Sequence, residues 1–462
     1  MSLKITFLGG AGTVTGSSYL LEADDHKYLV DCGLFQGSRK LKELNWSNFS
    51  FSPTEIDAVF LTHAHVDHVG LLPRMVQQGF GGPIYATEAT CALLNLILPD
   101  SAHLQEQDAV FTNKKGYSRH KPALPLYTLT DAEDALQLLC PIPFHRPTSS
   151  SPVQAIWRPA GHILGSAILE ILAGEGNRKT KLVFSGDLGR YDSEVMKPPF
   201  AIPQADVLLV ESTYGDRLHG DGSIETKLAE ELDYTLQGNG VLLIPAFAVG
   251  RTQQVLYYLR KLEDQNRIPR LPIYIDSPMA VDASHIYCKY GDDHNLDVNL
   301  LMDENACPLR CRQTNFVRDV EASKILTTTP GPAIIISASG MCNGGRILHH
   351  LKRRLPRKEN SVLFIGFQAE GTRGRQLLEG TEHIRIHGDD VRVRARIAQA
   401  HALSGHADQS ELLRWLSGFT APPGISFIVH GEPRGSRGLQ DQIAYRMAWQ
   451  TTIPARGDTF EL

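Results

Sequence analysis

No stretch of this 462-residue chain stays apolar for the eighteen or so residues that a membrane-crossing helix needs. The longest apolar run, Val241–Val249, is strand-sized. The opening residues, Met1-Ser2-Leu3-Lys4-Ile5, lack the long apolar core and small-residue cleavage site of a secretory signal. Cysteine is scarce: the seven residues, at 32, 91, 140, 288, 307, 311 and 342, are odd in number and form no CxxC pair. That argues against a disulfide framework and against a cysteine zinc knuckle. No GxxxxGK[ST] phosphate loop and no GxSxG nucleophile elbow occurs, so nucleotide hydrolysis and serine-esterase chemistry lose their usual entry points. With 42% hydrophobic and 21% charged residues, the chain can bury large cores. A cytoplasmic globular protein of two large or three smaller domains is the expectation.

A net charge of −5 suits a polyanionic partner poorly, but the average hides an asymmetry. Between Gly345 and Ala400 there are twelve Lys/Arg against six Asp/Glu, so this stretch carries +6 and the remainder −11. Histidine, at 18 residues, is plentiful.

The first part of the chain reads as short β-strands with turn punctuation. Ile5–Leu8, Lys27–Val30, Ala58–Leu61, Ile84–Ala86, Ala155–Arg158, Ala167–Ile171, Leu182–Phe184 and Val207–Val210 are apolar or alternating. Helical periodicity predicts helices at Val69–Gln78 and Glu88–Leu98, little helix in the polar stretch Leu98–Thr130, and a loop over Pro141–Pro152. After Tyr214 a strand-then-helix pattern repeats four times, which is the signature of a parallel sheet with crossover helices. Ile384–Ile386 and Val391–Ile397 read as paired strands. Beyond them the texture of the first part returns, predicting one domain inserted into another: 1–213, an insert over 214–399, and 400–462.

Gly10-Ala11-Gly12-Thr13-Val14-Thr15-Gly16 nearly makes a dinucleotide fingerprint, with Asp31 at about the right remove. The last glycine comes one position late and a strand follows instead of a helix, so a tight turn between strands is the better reading. The strong signal is Leu61-Thr62-His63-Ala64-His65-Val66-Asp67-His68-Val69-Gly70. In a strand, residues two apart share a face, so His63 and His65 can converge on one metal. Asp67 and His68 follow in a turn that can direct them at a second, and imidazole and carboxylate are ligands that Zn²⁺ accepts. A merely surface-exposed histidine-rich turn is a poor rival so soon after a buried-type strand. His162 in Ala160-Gly161-His162, Asp187 in Ser185-Gly186-Asp187 and His430 in Val429-His430-Gly431 each end or follow an apolar strand. Singly each reads as an ordinary loop residue; together they look like polar groups delivered to one edge of a sheet.

With Asp31 in Val30-Asp31-Cys32-Gly33, the HxHxDHxG run, Gly-His162 and Ser-Gly-Asp187, the chain resembles the metallo-β-lactamase fold. Glu211 in Glu211-Ser212-Thr213-Tyr214, His406 in Ser404-Gly405-His406-Ala407-Asp408, and His430 resemble the added motifs of its β-CASP nuclease branch. Pro245–Arg251, Ser337–Met341 and Ala369–Thr372 are similar to that branch's inserted domain. The resemblance implies an αββα metallo-β-lactamase sandwich carrying an inserted β-CASP domain. It implies two zinc ions per chain, one held by His63, His65 and His162, the other by Asp67, His68 and His430, with Asp187 bridging. Asp31 would fix a ligand imidazole, and Glu211 and His406 would share the acid–base work. His430, where the DNA-directed branch carries Val, implies RNA. The implied activity is hydrolysis of single-stranded RNA by a bridging hydroxide, leaving 5′-phosphate and 3′-hydroxyl ends. Ser337, Ser339, Arg373 and Arg375 are candidates for phosphate contact, the arginines because they sit beside glycines at a helix start. Endonuclease against 5′-exonuclease action and a homodimer stay open, and no membrane partner is expected. A lactone or thioester hydrolase is disfavoured by the long insertion, a DNA nuclease by His430, and a non-catalytic subunit by the intact ligand set.

Overall fold

The computed structural model describes residues 2–116, 121–148, 152–174, 179–220, 222–301, 303, 307–366, 368, 371–400 and 404–462. Ala369 and Glu370 of the motifs above lie outside them. The chain divides into two compact units, Met1–Leu218 with His406–Leu462, and His219–Gly405. Among the described residues no helix is long and apolar enough to cross a membrane.

The first unit opens with the antiparallel strands β1 (Leu3–Gly9), β2 (Ser18–Ala23) and β3 (His26–Val30). Along β1 alternate residues are buried, because Leu3, Ile5 and Phe7 share the inner face. The glycine-rich run joins β1 to β2 as a turn, with Gly10, Gly12 and Gly16 at positive φ. Next come α1 (Arg39–Leu44), β4 (Ala58–Phe60), α2 (Val66–Val69), α3 (Leu72–Gln77), β5 (Ile84–Thr87), α4 (Glu88–Lys115), α5 (Leu129–Gln137) and β6 (Leu139–Ile142). Strands β7 (Val153–Pro159), β8 (Ala167–Ala173), β9 (Thr180–Phe184) and β10 (Val207–Glu211) complete this part.

The second unit contains α6 (Ile224–Gln237), β11 (Val241–Pro245), α7 (Arg251–Asp264), β12 (Ile273–Asp276), α8 (Pro278–Lys289), α9 (Val298–Leu301), β13 (Thr314–Phe316), α10 (Val320–Leu326), β14 (Ala333–Ser337), α11 (Ile347–Arg354), β15 (Ser361–Phe364), α12 (Arg373–Leu378), β16 (His383–Ile386), β17 (Asp389–Arg392) and β18 (Arg396–Gln399). The chain returns to the first unit with α13 (Gln409–Leu416), β19 (Ile425–Val429), α14 (Pro433–Met447) and β20 (Thr459–Glu461).

In the first unit a seven-stranded sheet, β20-β1-β2-β3-β4-β5-β6, faces a five-stranded one, β19-β10-β9-β8-β7. Phe7, Leu21, Phe60, Trp157, Leu169 and Phe427 fill the space between them. Leu412, Trp415, Leu416 and Leu439 of α13 and α14 cover the other side of the five-stranded sheet through Val183, Leu208 and Ile428. Helix α4 packs on β5 and β6. The result is the expected helix–sheet–sheet–helix layering. In the second unit β13-β12-β14-β11-β15-β18 form one wholly parallel sheet. Its strands are apolar on both sides, because α6, α7 and α8 cover one face and α10, α11 and α12 the other.

Several local expectations change. The polar stretch after Leu98 is helical as far as Lys115: α4 runs through Pro99, and its distal half is rich in helix-forming Gln, Glu and Ala. Gly116, in the left-handed conformation, ends it. Val69–Gln78 is two short helices broken around Gly70, and β6 extends into the predicted loop as far as Ile142. The run Val391–Ile397 belongs to two strands: β17 pairs antiparallel with β16, whereas β18 joins β15 in the large sheet.

Candidate metal centre

Strands β3 and β4 run parallel, as do β9, β10 and β19 in the facing sheet. Asp31 follows β3, His63 and His65 follow β4, Asp187 follows β9, Glu211 ends β10 and His430 follows β19. Parallel strands end on the same side, so all of these groups arrive at one edge of the sandwich. His162 comes from the loop between β7 and β8, and His406 from the segment before α13. His63 and His65 lie in an extended tail beyond β4, not in the strand itself, and Asp67 and His68 occupy the single helical turn α2. Two close approaches need glycine. A Cβ on Gly33 would meet the Asp67 carbonyl oxygen at 1.7 Å, and one on Gly189 would meet that of Gly161 at 1.9 Å. The second approach draws the His162 loop against the Asp187 loop. Asp31 and His430 have φ of 59° and 46°, in the left-handed region that costs an ordinary residue about 1–2 kcal/mol.

The buried Asp187 carboxylate faces histidines on both sides. Its Oδ2 lies 3.4 Å from His63 Nε2 and 3.6 Å from His162 Nε2, and its Oδ1 lies 3.4 Å from His68 Nε2 and 3.5 Å from His430 Nε2. His65 Nδ1 stands 3.1 Å from both His63 Nε2 and His162 Nε2. Asp67 Oδ2 is 4.0 Å from His430 Nε2. Ligand atoms of His63, His65, His162 and Asp187 form one group that could hold a metal ion, and those of Asp67, His68 and His430 form another.

The proton inventory of these groups fits a cation. Thr62 Oγ1 donates to Asp31 Oδ2 at 2.8 Å, so toward His63 Nδ1, 3.1 Å away, it can only accept. His63 is then protonated on Nδ1, and its Nε2 lone pair points at His65 and Asp187. His68 Nδ1 donates to Asp31 Oδ2 at 2.8 Å, which turns the His68 Nε2 lone pair toward the anionic Asp187 Oδ1. Neither His68 Nε2 nor Asp187 Oδ1 has a hydrogen-bond partner, though both are buried. Acceptors aimed at acceptors in a buried site call for a cation between them. The titration of the side chains agrees. Burial, with the positive charge of His68, lowers the His63 pKa to about 4, and burial with His406 holds His162 well below the usual range, so both present lone pairs. Burial also opposes charge on His68 and Asp187, but their opposite-charge neighbours outweigh it. Asp187 and Asp31 raise His68 well above its ordinary value, and His430, His68 and His63 hold Asp187 well below its own, so positive charge is favoured beside Asp187, where a proton on His68 Nε2 and a metal ion are alternatives.

Beside this cluster, His406 Nδ1 lies 3.3 Å from Glu211 Oε1 and 3.8 Å from Asp187 Oδ2. Glu211 is fully buried and saturated: Oε1 accepts from Leu188 N at 2.7 Å, and Oε2 accepts from Thr213 Oγ1 at 2.6 Å. Three positioning residues escape sequence inspection. Ser17 Oγ bonds His430 Nδ1 at 2.7 Å, Thr62 braces Asp31 through both N and Oγ1, and Thr213 holds Glu211. Ser17 closes the glycine-rich turn, so the signal was a hydroxyl beside a turn at the sheet edge. The four phosphate-contact candidates lie in the second unit. Ser337 Oγ donates to the Asp276 carbonyl at 3.0 Å and is buried; Ser339 Oγ donates to Gly344 O at 3.2 Å. Arg373 braces Arg385 O at 2.9 Å, and Arg375 pairs with Glu379 at 2.7 Å on an exposed helix face.

Comparison with known proteins agrees with this geometry. Residues 11–164 match the metallo-beta-lactamase superfamily, 252–377 the Beta-Casp domain, and 390–454 the Zn-dependent metallo-hydrolase RNA specificity domain. Ribonuclease TTHA0252 of Thermus thermophilus is 38% identical over 445 residues, covering 96% of each chain. The transcription termination factor FttA of Pyrococcus abyssi is 30% identical, covering all of this chain and 71% of its own length, and that of Methanocaldococcus jannaschii is 28% identical, covering 100% and 72%. A crystal structure of a protein of unknown function from Enterococcus faecalis covers the whole of both chains with a TM-score of 0.56 at 12% identity, a likeness of fold alone. The chain is a metal-dependent hydrolase and belongs to the β-CASP RNA nucleases of the metallo-β-lactamase superfamily.

Proposed function

We propose that this protein hydrolyses phosphodiester bonds of single-stranded RNA with two zinc ions per chain, leaving 5′-phosphate and 3′-hydroxyl ends. The observation that carries the reading is Asp187, a buried carboxylate whose two oxygens each face a different pair of imidazole nitrogens. His63, His65 and His162 would hold one ion and Asp67, His68 and His430 the other, with the Asp187 carboxylate available to both. Imidazole and carboxylate donors without a thiolate suit zinc. When bound, the metals lower the pKa of the attacking water and offset charge building at phosphorus.

The protein's own groups do the rest. Asp31 accepts a hydrogen bond from His68 Nδ1, and Ser17 bonds His430 Nδ1, so both rings keep Nε2 directed inward. Glu211, locked by Leu188 and Thr213, orients His406 through its Nδ1. His406, one-fifth exposed, is left to protonate the departing 3′-oxygen from its other nitrogen. Arg375, in a surface ion pair that costs little to exchange, with Arg373 and Ser339, supplies the phosphate contacts, whereas Ser337, buried with its hydroxyl on the Asp276 carbonyl, has none to offer.

End-labelled RNA incubated with zinc-loaded protein tests the reaction through both products and their end groups. A 2′,3′-cyclic phosphate would contradict it, because the ribose hydroxyl would then be the nucleophile. Equal rates on DNA of the same sequence would contradict the choice of RNA. A substrate whose bridging 3′-oxygen is sulfur needs little protonation on leaving. It should restore much of the rate lost in His406→Ala and Glu211→Gln but little in His430→Ala; rescue of none removes His406 as the acid.

A further inference from the structure

We propose that Trp46, on the basic segment around α1, is a stacking platform for an unpaired base of the RNA, with Lys40 and Lys42 beside it for the flanking phosphates. The inference rests on the RNA-nuclease reading and extends it to a binding residue outside the metal cluster.

Trp46 is the most exposed of the tryptophans, with 56% of its surface open. No ring or cation is stacked on it among the described residues. Its neighbours hold it firmly all the same. Asn45, almost fully buried, clamps Phe35 from both sides: Phe35 N donates to Asn45 Oδ1, and Asn45 Nδ2 donates to Phe35 O, each at 2.8 Å. Arg74 Nη2 donates to the Trp46 carbonyl at 3.1 Å, and its guanidinium lies over the Phe49 ring at 5.9 Å. The backbone on either side of the indole is therefore fixed while the indole faces solvent. A large ring carried on a fixed backbone has only its two side-chain torsions to order on meeting a base, which suits a stacking platform.

The place in the fold is equally specific. The chain leaves β3 through Asp31, whose carboxylate holds His68, and runs alongside α2: Cys32 N donates to His68 O at 2.7 Å and Leu34 N to Val66 O at 3.0 Å. Four residues later it begins the basic segment. From Gln36 to Phe49 the charged residues are Arg39, Lys40, Lys42 and Glu43, so a unit that is acidic on balance presents +2 here. Glu43 is matched to Arg39 at 2.8 Å, leaving Lys40 and Lys42 without an acidic partner among the described residues. Exposed indole and lysines on one segment match base and backbone of a single strand; a neutral or cationic partner would gain nothing from the charge.

The test compares wild type, Trp46→Ala, Trp46→Phe and Lys40→Glu/Lys42→Glu in two measurements. In chelator, where cleavage is off, fluorescence anisotropy reads binding of labelled single-stranded RNA and of the same strand made abasic. Loss of one base stack should weaken binding of normal RNA by Trp46→Ala about 5- to 150-fold. Trp46→Phe should recover most of it, and abasic RNA should bind wild type and Trp46→Ala alike. The lysine variant should weaken both strands and flatten the salt dependence. With zinc, Trp46→Ala should raise KM for RNA with kcat nearly kept, and leave hydrolysis of bis(p-nitrophenyl) phosphate, which has no base, unchanged. Equal binding of normal RNA by wild type and Trp46→Ala overturns the proposal. So does an equal loss on abasic RNA, or a change of oligomeric state on sedimentation in place of a change in RNA binding. If wild type binds RNA but cleaves none, the nuclease reading fails while the anisotropy still decides the platform.

Discussion

Asp187 and Asp276 are two buried aspartates placed alike, each at or just beyond the carboxyl end of a strand and each facing histidine. Their partners differ. Asp276 is closed: Oδ1 accepts from Arg346 Nη1 at 2.8 Å, and Oδ2 accepts from Ser323 Oγ and His350 Nε2, both at 2.7 Å. It ties β12 to α10 and α11, with both oxygens engaged by donors at hydrogen-bond distance. Among the described residues no short hydrogen bond closes Asp187; its oxygens face ring nitrogens at 3.4–3.6 Å, and Oδ1 has no hydrogen-bond partner. A carboxylate that is buried and saturated is a strut, whereas one that is buried and faced by lone pairs is half of a site.

Removing each carboxylate should break the comparison in opposite directions. Asp187→Ala should take RNA hydrolysis below detection and lower the zinc content, yet leave the urea midpoint of chelated protein nearly unchanged. Asp276→Ala leaves the buried His350 without its acceptor and takes from Arg346 its carboxylate partner, and should destabilise the second unit by about 3–5 kcal/mol, with zinc content kept; equilibrium unfolding and elemental analysis read both. His406→Ala should slow cleavage about 10²–10⁴-fold at full zinc content, while His430→Ala should lose zinc as well as rate. The smallest effect concerns pH. Burial opposes ionisation of Asp276, but His350, Ser323 and Arg346 outweigh it and hold its pKa below the ordinary value. A depressed folded-state pKa means that the stabilisation is complete above the unfolded value, about 3.9, and is lost as pH falls through the folded one. The stability gap between wild type and Asp276→Asn should therefore be constant above about pH 5 and shrink on further acidification, as urea titrations at each pH would record.

Much of this contrast was legible in the sequence for Asp187 and little of it for Asp276. His63, His65, Asp67 and His68 stand within six residues of one another after an apolar strand, and Asp187 and His430 also follow apolar strands. Strand endings are local features, and a parallel arrangement gathers them without further information. The partners of Asp276 come from separate elements, with Ser323, Arg346 and His350 47 to 74 residues away. Nothing local marks them, just as nothing marked Ser17, which reaches His430 across 413 residues. The fold shows the same division. Strands with apolar runs were readable, but β6, with Pro141 inside it, and the distal half of α4, mostly polar and following Pro99, depend on neighbours that periodicity does not reveal.

The most direct test of the central claim is zinc per chain, measured by elemental analysis on protein reconstituted with zinc and freed of excess, for wild type, Asp187→Ala and Asp276→Ala. The account predicts two zinc ions for wild type and for Asp276→Ala, and fewer for Asp187→Ala. Wild type that takes up no metal, or an Asp187→Ala protein that retains both ions, would contradict it.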